Sequence, residues 1–400
     1  MNKQYKLLTC TINGKKVEKM IDVRASLTDV LRDDFRLTSV KKGCEVGECG
    51  ACNVIIDGEC FNSCIYLGVW AEGKEILTLE GLAGPNGELS DIQQAFIDEA
   101  AVQCGFCIPG MVMCTKALLD VNPEPTDDEI RYALRNNYCR CTGYVKIMDA
   151  VRLAAKVLKE GVLPDDGDPS WTLGSRVSRI DVEEKVLGTG KYPDDYYPEG
   201  MLYGAALRSK YPRARVLSID TSAAEALPGV EAVVTADDIP GENKIGHLKH
   251  DQYSLIPVGG LTHYLGDAIA LVAATDMATV EKAKKLIKVE YEVLPHVHTV
   301  EEAAAPDAPL VYDEEETNVC AYKHISRGNA EEAIKNSKYV ISHHFETPWT
   351  EHAFLEPECA VSFYDEDGDI FVYSTDQSAH QTLHEVTLML GTDKVKVQNA

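Results

Sequence analysis

Eight cysteines at fixed spacings within the first 141 residues constrain this chain more than any other feature. Cys44, Cys49 and Cys52 stand at C-x4-C-x2-C, and Cys64 follows twelve positions after the last of them. Cys104 and Cys107 form a C-x2-C pair, and Cys139 and Cys141 a C-x-C pair. Of thirteen cysteines, eleven precede residue 142; only Cys320 and Cys359 follow. The N-terminus, MNKQYKLLTCTINGKK, lacks the unbroken apolar core of a signal peptide, and no run approaches the roughly 18 apolar residues of a membrane span. A cytoplasmic location is therefore expected. In that reducing compartment clustered thiols point to metal sites and redox chemistry, not to disulfides.

Length and charge narrow the reading further. The 400 residues, 45% apolar and 26% charged, suit a soluble chain of several domains, each with its own core. Acidic residues number 64 against 39 basic, a net charge of −25. That balance disfavours nucleic acid and anionic membranes as partners, because both need clustered Lys and Arg.

Two hairpin signals, Asn13-Gly14 and Asp57-Gly58, flank a short helix that Ser26 can cap and that carries Leu27, Val30 and Leu31 on one face. The order hairpin, helix, hairpin suits a β-grasp fold over residues 1–82. Over 83–162 the apolar period changes from two to 3.6 in SDIQQAFIDEAA, PGMVMCTKALL, TDDEIRYALRN and KIMDAVRLAAKVLKE, which predicts four helices. Ser90 with Gln93 and Thr126 with Glu129 are capping boxes, and Pro109 suits a first turn. Residues 163–180, in and around GVLPDDGDPSW, read as a linker. From 181 to 298 strand-like runs (MLYGAALRS, ARVLSID, VEAVVTA, AIALVAA, KLIKVEYEVLP) alternate with the helical MATVEKAKKLI, an α/β unit. Residues 299–400 read as strands through SKYVISHHFETPWTEHAFLEPECAVSFYDEDGDIFVYSTD and then a helix at QTLHEVTLMLG.

The first cysteine set has the spacing of a plant-type [2Fe-2S] site. Gly43, Gly47 and Gly50 let the backbone close around it and aim amides at sulfur. Cys60 competes with Cys64 as fourth ligand, but it lies in the hairpin arm just after the turn. The thiols of Cys104, Cys107, Cys139 and Cys141 can converge at one end of the helical unit. A four-cysteine zinc site can use the same atoms, although C-x-C is a cramped pair for one metal, whereas a two-iron cluster lets each pair serve one iron.

GCEVGECGACNV, QCGFCIPG and NNYCRCTGY, in this order, resemble the paired iron-sulfur domains of the xanthine dehydrogenase and aldehyde oxidoreductase family of molybdenum hydroxylases. The resemblance implies an α+β multidomain chain: a β-grasp plant-type ferredoxin domain, a four-helix [2Fe-2S] domain, an α/β hammerhead domain at LGTGKYPDDYYPEGMLYGAALRSKYPRARVLSID, and from EHAFLEPE the start of a molybdopterin-binding domain (299–400). It favours Cys64 over Cys60, and iron over zinc at both sites. It also implies that Gln103 and Cys141 contact the pterin, with Cys141 doubling as a cluster ligand, and that electrons run from molybdenum to the helical-domain cluster and then to the β-grasp cluster.

By the same resemblance Gln377, fourteen residues before Gly391, hydrogen-bonds a molybdenum ligand. The family's Ser-Thr-Gln is interrupted here by Asp376, which resembles the selenium-dependent xanthine dehydrogenase and purine hydroxylase branch. A purine such as xanthine is thus the expected substrate, with an aldehyde as the alternative. The region between 160 and 185 has no room for a flavin domain, so no FAD is expected in this chain, and the acceptor is a flavoprotein subunit or a ferredoxin. A homo-oligomer is expected. The family continues past Ala400 into a Gly-rich pterin loop and a catalytic glutamate, which implies a fragment or a split subunit. A stand-alone electron-transfer subunit would need only the first 160 residues. His343, His344 and His352 are expected to be hydrogen-bonded structure, Tyr196 and Tyr197 beside Asp194 and Asp195 an ordinary turn, and Cys10, Cys114, Cys320 and Cys359 buried apolar side chains.

Overall fold

The computed structural model describes residues 4–161, 172–175 and 177–399. Of the expected linker, 163–171 and 176 lie outside the described residues. Strands β1 (Tyr5–Ile12) and β2 (Lys15–Asp22) pair antiparallel around Asn13 and Gly14, whose φ angles of 49° and 74° are those of a tight hairpin turn. Ser26 caps α1 (Leu27–Asp29), accepting from the Asp29 amide at 3.1 Å, and the helix widens into a π-helical turn at Val30–Asp34. β3 (Asn53–Ile56) and β4 (Glu59–Asn62) form the second hairpin, and β5 (Glu75–Leu77) completes a sheet of order β2-β1-β5-β3-β4. Leu8, Cys10 and Ile12 alternate inward from β1 and meet Leu27, Val30 and Leu31 beneath the sheet.

The helical unit comprises α2 (Asp91–Asp98), α3 (Ile108–Val121), α4 (Asp127–Ala133) and α5 (Val145–Glu160). Both capping boxes form, with Pro109 in the first turn of α3. Phe96, Met111, Val112, Ile130, Ile147 and Val151 make one core. It extends to α6 (Val182–Leu187), where the Gln93 side chain donates to the Val186 carbonyl at 2.8 Å.

Beyond α6 come β6 (Tyr203–Arg208), β7 (Ala214–Asp220), α7 (Ser222–Glu225), β8 (Val230–Val234), β9 (Lys244–Ile245), β10 (Gln252–Tyr253), β11 (Ala268–Ala274), α8 (Met277–Leu286) and β12 (Lys288–Val293). They form sheets β6-β11-β8, β7-β12 and β9-β10, with α8 packed through Val280 and Ala283 on Ala270 and Val272. After α9 (Val300–Ala303) and α10 (Ala330–Asn336), β13 (Ala360–Tyr364), β14 (Ile370–Ser374) and β15 (Val395–Asn399) make a sheet in which β14 and β15 run parallel across α11 (Ala379–Leu390). No helix among the described residues is long and apolar enough to cross a membrane.

Two expectations fail in this part. The run from Ser337 to Cys359 forms no strand or helix, and His343, His344 and His352 stand exposed on it. Alternating side chains suit a strand, but a ladder also needs a neighbour to accept its hydrogen bonds. Cys320 is exposed, whereas Cys10 and Cys114 are buried and Cys359 half-buried.

Candidate metal centres

Cys44, Cys49 and Cys52 lie in the loop between the turn after α1 and β3, and Cys64 lies in the turn that follows β4. Gly47 and Gly50 take φ of 81° and 73°, and a side chain at Gly43 would meet Cys49 Sγ at 2.8 Å. This close path turns amides inward: those of Glu48 and Cys49 donate to Cys44 Sγ at 3.4 and 3.3 Å. Burial raises the Cys44 thiol, but these amides and that of Val46 outweigh it and bring it down to about 7. Burial pushes Cys49 up to about 11 and Cys64 up to about 12. Cys49 is hydrogen-bonded to Cys44, and Cys64 to Cys52. Cys60 turns the other way, against the helical core, with its Sγ 3.1 Å from Cys114.

The second set gathers where α3 and α5 begin. Cys104 and Cys107 lead into α3, Cys139 and Cys141 into α5. The sulfurs pair crosswise, one from each motif: Cys104 Sγ lies 3.7 Å from Cys141 Sγ, and Cys107 is hydrogen-bonded to Cys139. That bond, with the Thr142 hydroxyl at 3.2 Å, holds Cys139 down to about 5 despite burial, while Cys107 is pushed well above its usual value. A zinc ion at 2.3 Å from each sulfur would hold all four within roughly 4 Å of one another. Among the described residues the only three ligating side chains with atoms all within 4.8 Å are Asp365, Asp367 and Asp369, and Lys396 already sits on these at 2.6, 3.1 and 3.2 Å. Each cysteine set instead closes as two pairs, the shape a two-iron cluster needs.

The sets face each other across a thin apolar wall. Cys49, Ala51, Phe106 and Tyr192 form one buried cluster, with Cys44, Cys104 and Leu355 packed on it. Gly110 at the start of α3 rests on the Gly50 carbonyl so closely that a side chain there would collide with it. The Tyr138 amide donates to the Cys49 carbonyl at 2.9 Å, and Tyr192 Oη and Lys185 Nζ each donate to the Cys104 carbonyl at 2.7 Å.

Sequence reasoning missed the charges behind this wall. Asp195, read as part of a turn, is 1% exposed and binds Arg32 Nη2 and Lys41 Nζ, each at 2.7 Å. Burial lowers the Lys41 pKa even with Asp195 beside it. The available signal was Lys41-Lys42 directly before Gly43-Cys44, a cationic step into a thiol loop. Glu356 lies nearby with Oε1 buried and without a partner among the described residues, and burial raises its pKa to about 6.

Gln103 is exposed beside Cys104, its carbonyl accepting from Arg179 at 2.6 Å. Gln377 is exposed in the loop after β14, and Asp376 fixes that loop by accepting from the Ser378 amide at 2.8 Å, Thr382 at 2.7 Å and Asn399 at 2.6 Å. A cleft of about 330 Å³ is lined by Lys185, Tyr192, Tyr196, Tyr373 and Asn399, and neither Gln103 nor Gln377 lines it.

Four family descriptions match. Residues 10–76 match a 2Fe-2S iron-sulfur cluster binding domain, and 78–152 a [2Fe-2S] binding domain. Residues 187–295 match the a/b hammerhead domain of aldehyde oxidase and xanthine dehydrogenase, and 311–399 a molybdopterin cofactor-binding domain. An aldehyde oxidoreductase of Megalodesulfovibrio gigas is 34% identical over 96% of this chain, which spans 44% of that relative's length. The xanthine dehydrogenase iron-sulfur-binding subunit of Escherichia coli O157:H7 is 51% identical over 36% of this chain and 91% of its own. The solved aldehyde oxidoreductase from Desulfovibrio gigas superposes with a TM-score of 0.84 at 31% identity, over 98% of this chain and 46% of that one.

Proposed function

The chain belongs to the molybdenum hydroxylase family, of the aldehyde oxidoreductase and xanthine dehydrogenase type, and from that premise we propose that it is the iron-sulfur part and first molybdenum-domain part of a purine hydroxylase. When bound, the molybdenum cofactor supplies two-electron oxidation of an electron-poor carbon with oxygen taken from water, and two [2Fe-2S] clusters supply the one-electron steps that follow.

In this reading Cys44, Cys49, Cys52 and Cys64 hold one cluster, and Cys104, Cys107, Cys139 and Cys141 the other. The observation that carries it is the closing of each thiol set into two pairs, crosswise in the second set, with the Phe106, Ala51 and Tyr192 wall packed between the sets. That wall excludes water, and amides aimed at Cys44 stabilise added negative charge on sulfur. Gln103, exposed, and Cys141, half-buried, would contact the pterin in this reading. Gln377 would orient a molybdenum ligand, held in place by the hydrogen bonds of Asp376.

The purine assignment and the selenium-dependent branch rest on Asp376. The aldehyde reading is favoured by likeness along 96% of the chain to an aldehyde oxidoreductase. A cytoplasmic location, a homo-oligomeric state and an external flavoprotein or ferredoxin acceptor complete the proposal. The test is iron, molybdenum and zinc content with low-temperature EPR, then anaerobic addition of xanthine or benzaldehyde to the full-length native protein. Two distinct [2Fe-2S] signals that appear on adding xanthine support the proposal. Reduction by benzaldehyde alone moves the substrate to the aldehyde class, and zinc in place of iron overturns the reading.

A further inference from the structure

Neither thiol set uses Cys60 or Cys114. Cys60 sits on β4 of the first unit and Cys114 on α3 of the second, 54 residues apart, with Sγ atoms 3.1 Å from each other. Two side-chain amides complete the cluster: Asn53 Nδ2 donates to Cys114 Sγ at 3.1 Å and Asn137 Nδ2 at 3.2 Å. Asn53 also donates to Asn137 Oδ1 at 3.1 Å. Asn53 directly follows Cys52, and Asn137 precedes Cys139 by two residues, so the four polar groups lie in the seam between the two cysteine sets.

We propose that Cys60 and Cys114 are a redox-sensitive pair that closes into a disulfide across the domain seam when the protein meets a peroxide. The geometry divides the roles. Cys60 is half-buried, whereas Cys114 is 7% exposed. A partly exposed thiol beside a buried partner sulfur is an arrangement in which a sulfenic acid is converted to a disulfide before further oxidation. The Cys60 sulfur attacks the peroxide, the O–O bond breaks, and one oxygen stays on sulfur as the sulfenic acid while the other leaves as water. Cys114 sulfur then displaces that oxygen as a second water, forming the S–S bond. Two thiol protons and two electrons go to the peroxide oxygens, so two thiols and one peroxide give one disulfide and two waters. The asparagine amides hold Cys114 Sγ in line throughout, and closing the bond ties β4 to α3.

The experiment uses the full chain with both clusters loaded. Hydrogen peroxide is added anaerobically in low molar excess, free thiols are blocked with N-ethylmaleimide, and unreduced peptides are mapped by mass. The expected result is a peptide pair joined through Cys60 and Cys114, two hydrogens lighter than the reduced pair, while the visible absorbance of the clusters is retained. Cys60→Ser should lose the linked peptide with its visible circular dichroism unchanged, and Cys114→Ser should leave Cys60 as a sulfenic acid that dimedone traps. Full blocking of both thiols after peroxide treatment, with the clusters intact, would overturn the proposal. So would a linked peptide that forms only in step with loss of visible absorbance, because released ligands would then account for it.

Discussion

Replacing Asp195 with alanine tests how far the site depends on buried charge. The carboxylate is 1% exposed and holds Arg32 and Lys41, 4% and 2% exposed, at 2.7 Å each. Removing one partner of a buried pair costs on the order of 3–5 kcal/mol, because the surviving charge stays desolvated. Two features hold the cost near the lower end. Arg32 keeps the carbonyls of Thr38 at 3.3 Å and Val40 at 2.9 Å. Lys41, whose pKa burial already lowers, can shed its proton once Asp195 is gone. Asp195→Ala should therefore cost about 3 kcal/mol, and Asp195→Asn nearly as much, since the amide restores shape but not charge. Lys41→Met in the Asp195→Asn background should recover part of the loss, as apolar replacement of a buried ion often does.

The pH dependence of the alanine variant follows from the same residue. With its folded pKa below its unfolded one, Lys41 binds fewer protons in the folded state, so the variant should gain stability as pH rises toward the ordinary lysine value of 10.5. Urea unfolding of the cluster-loaded chain, followed by visible circular dichroism, is the assay. A loss below about 0.5 kcal/mol for Asp195→Ala, the size of an ordinary surface substitution, would refute the argument.

Cys139→Ser should lower the iron content from about four to about two per chain and stop substrate-driven reduction of the remaining cluster; unchanged reduction of both would sink the proposed electron path. Glu356→Gln should stabilise the chain at pH 7 by about 1 kcal/mol after allowance for solvent screening, because burial raises the Glu356 pKa from 4.5 to about 6. The wild-type penalty is absent below pH 4.5 and complete above 6, so thermal melts of the two proteins should converge in acid. Lys185→Met, removing a cation whose Nζ lies 2.7 Å from the Cys104 carbonyl, should lower the reduction potential of the adjacent cluster by on the order of 50 mV at an effective dielectric of about 20. A redox titration that finds no shift would show this charge to be screened.

What the sequence made legible was local. Asn13-Gly14 and Asp57-Gly58 fix their hairpins through positive φ at both positions, and Ser90 and Thr126 start α2 and α4 with side chains three residues from their partners. The cysteine loop around Cys44 is equally local, since its glycines and amides act within a few residues. The crosswise pairing of Cys104 with Cys141 and Cys107 with Cys139 was not legible, because it depends on how α3 and α5 meet. Asp195 was missed for the same reason: its partners lie 163 and 154 residues earlier, and an Asp beside Tyr and Pro has the composition of a turn. The run around His343 misled in the opposite sense, because its alternation is that of a strand while its hydrogen-bonding neighbour is set by the fold.

The placement of the cations explains why so acidic a chain can bring two thiolate-rich sites together. The net charge is −25, yet the basic side chains fully buried among the described residues, Arg32, Lys41 and Lys185, all stand around the cysteine sets. A [2Fe-2S] site, with four thiolates and two sulfides on two ferric ions, carries net negative charge, and burying two such sites side by side costs both desolvation and mutual repulsion. Lys41 and Lys185 lie 4.5 and 5.6 Å from the centre of the Tyr192 ring in the wall between the sets. Asp195 neutralises one of the pair formed by Arg32 and Lys41, and Asp181, 3.1 Å from Lys185, partly offsets that cation. Asp194, 3.8 Å from Arg32, offsets part of what is left, so any positive excess behind the wall is small. Glu356, with its carboxyl raised to about 6 and coupled to both lysines, sets how large that excess is near neutral pH. Stability and reduction potential in this seam therefore draw on the same few charges, so a substitution that changes one must change the other.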